Sequence, residues 1–172
     1  MGNKLLLIIF ILALVVRFFS FPNNIYFGFD QARDGFAALD LISGNLKLIG
    51  PPTSIEGLFH GVAYYYLIAP IYFFAHGSPV VVAAFLRVLN ATGVLLMFYL
   101  GMILFNKKVG LIAALLYAVS FEETQFAIYM GNPAPAVWSV GLTYLGLALV
   151  VFRKKKLGLT ASLIWFWAFG AI

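Results

Sequence analysis

The chain has 172 residues, 63% of them hydrophobic and 10% charged, with a mean hydropathy of +1.01. A soluble domain carries about 25% charged residues, so this chain has too few charges to cover a water-facing surface, and lipid must be the solvent for most of it. The absence of cysteine excludes a disulfide framework, a thiolate metal site and a thiol nucleophile, and the net charge of +5 comes with no basic patch interleaved with aromatics, so no nucleic-acid partner is expected.

Residues 4–21 (KLLLIIFILALVVRFFSF) begin at Lys4 and stay apolar for about the 20 residues that a bilayer crossing takes. A signal peptide would have a shorter apolar core and a small-x-small cleavage site. Here Phe18, Phe19, Phe21 and Pro22 follow instead, so the segment reads as a retained first span. Arg17 lies near its far end, where a long basic side chain can reach the headgroups.

The next stretch is the most polar of the chain. Three of the six carboxylates, Asp30, Asp34 and Asp40, fall between residues 27 and 61, with a fourth, Glu56, and with Arg33 and His60. Residues 31–43 predict an amphipathic helix: Ala32, Phe36 and Leu39 share one face, and Arg33 and Asp40 point elsewhere. Asp30 stands where an N-cap would, Gly44 and Asn45 end the helix, and Gly50-Pro51-Pro52 forces an extended turn. Residues 58–75 (LFHGVAYYYLIAPIYFFA) are almost long enough to cross, but Gly61 and Pro70 interrupt them. Tyr64, Tyr65, Tyr66 and Tyr72 suit the membrane–water interface.

Residues 79–105 predict a long span, with Arg87 and Asn90 near its start and Lys107 and Lys108 just past its end. Residues 109–129 predict another, polar at its far end through Glu122, Glu123, Thr124 and Gln125, before a turn at Gly131-Asn132-Pro133. Residues 134–152 cross again and stop at the basic run Arg153–Lys156. A last apolar run, 157–172, contains the end of the chain, which is expected to be an N-terminal piece truncated at its C-terminus.

Lysine and arginine collect in short cytoplasmic loops. If 58–75 does not cross, Lys4, Lys107, Lys108 and Arg153–Lys156 all fall on one side; if it does, Lys4 is separated from the others. The first arrangement makes the N-terminus cytoplasmic. It also places the loop 22–78, with its helices 31–43 and 58–75, and the Glu122–Asn132 turn on the extracytoplasmic side. The expected fold is therefore all-α: residues 1–172 form a single polytopic transmembrane helical bundle with outer-face amphipathic and juxtamembrane helices.

Asp30 and Asp34 are one helical turn apart, with Arg33 beside them. One carboxylate could serve as general base toward an acceptor, a pair could hold a divalent cation, and Arg33 or Arg87 could pair with a phosphate. Each has a plainer reading: Asp30 as a helix cap, Asp34 and Asp40 as a solvated face, His60 as a hydrogen-bonded structural residue, Glu122 and Glu123 as markers of the water boundary, and Asn132 as a turn residue.

In their order the parts resemble the N-terminal half of the GT-C membrane glycosyltransferases, in the family-39-like group that includes protein mannosyltransferases and aminoarabinose transferases. The matching features are a first span and then an acidic outer motif, FDQARDGFAALDLISG; a Gly-Pro turn leading into an aromatic segment, LIGPPTSIEGLFHGVAYYYLIAP; an arginine early in the next span, AAFLRVLNATGVLLMFYLGMILF; and a span pair split by the outer turn FEETQFAIYMGNPAPAVW. The resemblance covers nearly all of the chain. It implies a GT-C-like N-terminal module in the plasma membrane of a bacterium or archaeon. Such a module transfers a sugar from a polyprenyl-phosphate donor to an acceptor glycan, lipid or protein on the extracytoplasmic face. Asp30 takes the catalytic position, and Arg33, Asp34, His60, Arg87, Glu122 and Asn132 are the candidate substrate-binding residues. A divalent metal is the one cofactor left open. Asn132 stands where many relatives carry Asp, and Val62-Ala63 replaces the Pro-Leu common after the histidine. The competing class is a non-catalytic small membrane subunit or a transporter fragment, which would bury polar groups near the bilayer midplane.

Overall fold

The structure, a computed structural model, describes residues 2–153 and Thr160. The predicted last span, 157–172, and Lys154–Lys156 therefore lie outside the described residues, Thr160 apart. Among the described residues eight helices follow in order: α1 (Gly2–Phe18), α2 (Phe29–Ile42), α3 (Ala63–Phe74), α4 (Pro79–Ala91), α5 (Gly93–Leu104), α6 (Lys107–Val119), α7 (Phe121–Ile128) and α8 (Pro133–Arg153). Among the described residues there is no strand, only isolated bridges between Tyr26 and Tyr129 and between Pro52 and Phe59.

The helix starts follow from local chemistry. Pro79 opens α4, where its missing N–H costs nothing. The Asn106 side chain accepts the N–H groups of Lys108 and Val109 at the start of α6. Ser120 Oγ accepts the Glu123 N–H at the start of α7, whose first turn carries Glu122 and Glu123 at the positive end of the helix.

Length and polarity separate the elements. α4 and α5 run on as one apolar stretch of 26 residues, Pro79–Leu104, about 39 Å long at 1.5 Å per residue. Pro133–Phe152 adds a second of 20 residues. These two are long and apolar enough to cross a hydrocarbon layer of about 30 Å. A third qualifies if α6 and α7, bent by 54° at Ser120, count as one. α3, with 12 residues, is about 18 Å long and too short to cross. The predicted span 109–129 is thus two helices, because the chain turns extended at Ser120.

Two apolar clusters hold the molecule. One gathers Ile9 and Ala13 of α1, Ala91 of α4, Val94 and Phe98 of α5 and Ala114 and Ala118 of α6. α5 and α6 come close because a glycine faces a glycine: a methyl on Gly101 would sit 2.8 Å from the Gly110 Cα. The other cluster packs α2 and α3 on the first half of α4 through Ala38, Tyr64, Tyr65, Ile68, Tyr72, Val82 and Leu86.

α2 begins at Phe29, so Asp30 stands in its first turn and the cap position belongs to Gly28, whose N–H donates to Gln31 Oε1 at 2.9 Å. The face turned toward α3 consists of Gln31, Asp34, Gly35 and Ala38. The apolar stripe read from the sequence faces away from the protein: Phe36 is 70% exposed and Leu39 is exposed too.

Candidate functional site

Three of the charged residues of α2, Asp30, Arg33 and Asp34, form one joined group. Arg33 donates from Nη1 to Asp30 Oδ1 at 2.7 Å and from Nε to Asp34 Oδ1 at 2.9 Å, with Nη2 2.8 Å from the same Asp34 oxygen. The two carboxylates differ in setting. Asp30 is largely exposed, whereas the Asp34 side chain is 3% exposed and lies against the tyrosines of α3.

Burial pushes the Asp34 carboxyl above its ordinary range, and hydrogen bonds from Arg33 and Tyr65 only partly offset this. For Arg33, burial works against the charge, but the bond to Asp34 and its negative charge outweigh it and hold the guanidinium more firmly protonated. Both shifts are upward but favour opposite charge states, because Arg33 keeps about a quarter of its side chain in solvent while Asp34 keeps almost none. Around the carboxylate, burial and then the Asp34 charge push Tyr65 and Tyr72 up to about 12 each. The Tyr72 ring lies so close to α2 that a methyl on Gly35 would come within 2.9 Å of its hydroxyl. Gln31 Nε2 and the Tyr64 hydroxyl are buried in the same layer with no hydrogen-bond partner among the described residues.

A second feature joins distant parts of the chain. Tyr26 pairs in parallel with Tyr129, and their rings stack with centroids 5.6 Å apart. This fastens the segment after α1 to the α7–α8 turn. Between them opens a cleft of about 710 Å³ whose polar lining is Asn24, Glu122 and Gln125, with Phe126 and Pro133 among its apolar walls. Glu122 faces the cleft, while its neighbour Glu123 turns inward, 3.5 Å from Asn90 Nδ2. The two regions predicted to share one membrane face are therefore adjacent in space.

Two buried arginines stand behind the cleft. Arg87 donates to the Arg17 carbonyl at the end of α1 and to Asn24 Oδ1, each at 3.0 Å, and lies over the Phe21 ring. Arg17 donates to Asn90 Oδ1 at 2.6 Å and to the carbonyls of Ala118 and Tyr117 at the end of α6, the latter also accepting the Ser120 N–H.

The other candidates fall apart from this group. His60 is exposed in the loop between α2 and α3, where its backbone N–H donates to the Pro51 carbonyl. Asn132 is half-buried in the turn before α8, beside the cleft residue Pro133. Arg87 holds Asn24, a cleft residue, and does not itself line the wall. Among the described residues no three His, Cys, Asp or Glu side chains gather into a cluster that could hold a metal ion by itself.

Sequence reading missed Arg17, Asn90 and Glu123 as partners, although charged and amide side chains inside apolar runs are themselves a signal. Nothing local could have paired Tyr26 with Tyr129, 103 positions apart in the chain.

Among the described residues these features define an all-helical structure with two, or counting the bent pair three, helices long and apolar enough to cross a membrane, and a charged helix outside them. Compared with known proteins, the chain matches no family model, no curated protein and no solved structure.

Proposed function

We propose that this chain is the N-terminal module of an integral membrane glycosyltransferase that moves a sugar from a polyprenyl-phosphate donor to an acceptor at the extracytoplasmic face. The observation that carries the reading is the Asp30–Arg33–Asp34 group on α2, a helix outside the candidate spans, close in the chain to the Tyr26–Tyr129 contact that borders the cleft.

In this reading the exposed Asp30 carboxylate takes the proton of an acceptor hydroxyl. The acceptor oxygen bonds to the anomeric carbon, the bond from that carbon to the phosphate oxygen breaks, and polyprenyl phosphate leaves. Arg33 is the suited phosphate partner, because it can exchange its exposed contact to Asp30 for a phosphate oxygen while Asp34 holds its other edge. Arg87 supports Asn24 instead. Glu122 and Asn132, at the cleft and its adjoining turn, are acceptor-side residues, and His60 stands further out.

The test is transfer by the full-length protein in membranes. Asp30→Asn is expected to abolish transfer with unchanged membrane abundance, and retained transfer overturns the assignment.

The second reading, a non-catalytic subunit or transporter fragment, is favoured by one observation. Arg17, Asn90 and Glu123 form a buried polar chain at a broken helix, as ion and substrate paths through membranes do. Substrate-dependent flux through proteoliposomes that is lost in Glu123→Gln, with Asp30→Asn silent, would establish it.

A further inference from the structure

α2 is turned inside out by the standard of a helix in water. Its inward face carries Gln31 and the buried Asp34, and its outward face carries Phe29, 83% exposed, with Ala32, Phe36 and Leu39 at the three-, seven- and ten-residue spacings that align along one stripe. Beside this stripe runs an apolar groove of about 320 Å³ lined by Phe27, Phe36, Leu39, Tyr72 and Pro79. Pro79 is the first residue of the 26-residue candidate span, and Val80 and Val81, next along it, are exposed as well. The groove is therefore continuous with the outer surface of that span. Leu46 and Leu48, in the loop after α2, add exposed aliphatic side chains. The polar flank of the same helix holds the Arg33–Asp30 and Lys47–Asp40 ion pairs.

We infer that α2 lies along the membrane interface and that the groove between α2 and the start of α4 is occupied by an acyl chain of a bilayer lipid. In water, exposing two phenylalanines, a leucine and the groove would forfeit the transfer free energy of burying them. A helix with one apolar flank and one charged flank recovers it at the boundary of headgroups and acyl chains. The spanning helix fixes the depth: the groove begins where that helix enters hydrocarbon, and the ion pairs on the opposite flank stay at headgroup level. On the inward face the buried Asp34 is paired with Arg33. This inference needs only a membrane around the chain and is independent of the transfer reaction.

The chain has no cysteine, so single-cysteine variants can be labelled without background. Phe36→Cys and Leu39→Cys are exposed substitutions, and Glu56→Cys in the exposed loop serves as the aqueous reference. Each is labelled with bimane in full-chain proteoliposomes of phosphatidylcholine. With phosphatidylcholine brominated on its acyl chains, the labels at 36 and 39 are expected to shift to the blue and lose most of their emission. Aqueous iodide is expected to quench position 56 strongly and positions 36 and 39 weakly. Iodide quenching at 36 and 39 equal to that at 56 overturns the proposal. Protection from both quenchers, with cross-linking that rises with protein-to-lipid ratio, also overturns it by showing a second copy on this face.

Discussion

Arg17 on α1 and Asn90 on α4, 73 residues apart, meet at 2.6 Å through Nε and Oδ1 with both side chains fully buried. The same guanidinium reaches the Tyr117 and Ala118 carbonyls at the end of α6, and the Tyr117 hydroxyl donates to the Asn90 carbonyl at 3.1 Å. One arginine thus ties α1, α4 and α6 at the point where the α6–α7 segment bends. Leaving a buried acceptor without a donor costs about 1–3 kcal/mol. Arg17→Met should therefore destabilise the protein by roughly 2–5 kcal/mol as several acceptors lose their donor. Arg17→Lys, with its single ammonium, should fall between. Unfolding in detergent against a denaturant series checks both, and an unchanged midpoint for Arg17→Met would refute the role.

The buried Asp34 depends on Arg33. Arg33→Ala leaves the carboxylate without its cation and should cost about 3–5 kcal/mol. Arg33→Ala combined with Asp34→Asn should recover a large part of that loss. A double-mutant cycle on unfolding free energies measures the coupling; additive effects would show that the pair is not linked.

Asp34 also gives the stability a pH dependence. Its folded-state pKa is raised above the ordinary value of 3.8, with burial as the main cause. The protonated form is therefore favoured on folding. The contribution is fully present below 3.8 and is lost as pH rises through the higher folded value, beyond which it is flat. Melting temperatures followed upward from pH 3.5 should show this decline in the parent chain, and Asp34→Asn should remove it.

The stacked rings of Tyr26 and Tyr129 predict a cross-link. In the cysteine-free chain, Tyr26→Cys with Tyr129→Cys should form a disulfide under mild oxidation, because the two backbones already pair. Tyr26→Cys with Glu56→Cys should not. The shift of the oxidised form on a gel reads the result, and equal yields for both pairs would dissolve the cleft as a fixed feature.

Close approach of α5 and α6 rests on Gly101 and Gly110. Gly101→Leu would force the helices apart and should destabilise by about 1–3 kcal/mol or more, in the manner of overpacked cores. Gly44→Ala meets no neighbouring atom, although its φ of +93° adds local strain. It should leave the helix packing, read by hydrogen exchange at α5 and α6, unchanged.

The sequence by itself marked out the apolar segments and most of the helices. One charged residue in ten leaves too few charges for a water-facing surface, and the predicted spans 79–105 and 134–152 match the two helices long and apolar enough to cross a membrane. It also told the two adjacent carboxylates apart in principle, since Glu122 and Glu123 on one helix must face different ways. Only the tertiary structure decided which face of α2 turns inward, that the 109–129 segment breaks, and what Arg17, Arg87 and Tyr26 touch. The physical reason is the solvent. Hydrophobic periodicity tells inside from outside when water lies outside, because burial then sorts residues by transfer free energy. Where lipid lies outside, apolar side chains gain little by turning inward. The orientation is then set by the polar groups that must find one another, such as Asp34 with Arg33 and Arg17 with Asn90 and the carbonyls at the end of α6. Those pairs are set by three-dimensional proximity, which hydropathy does not carry.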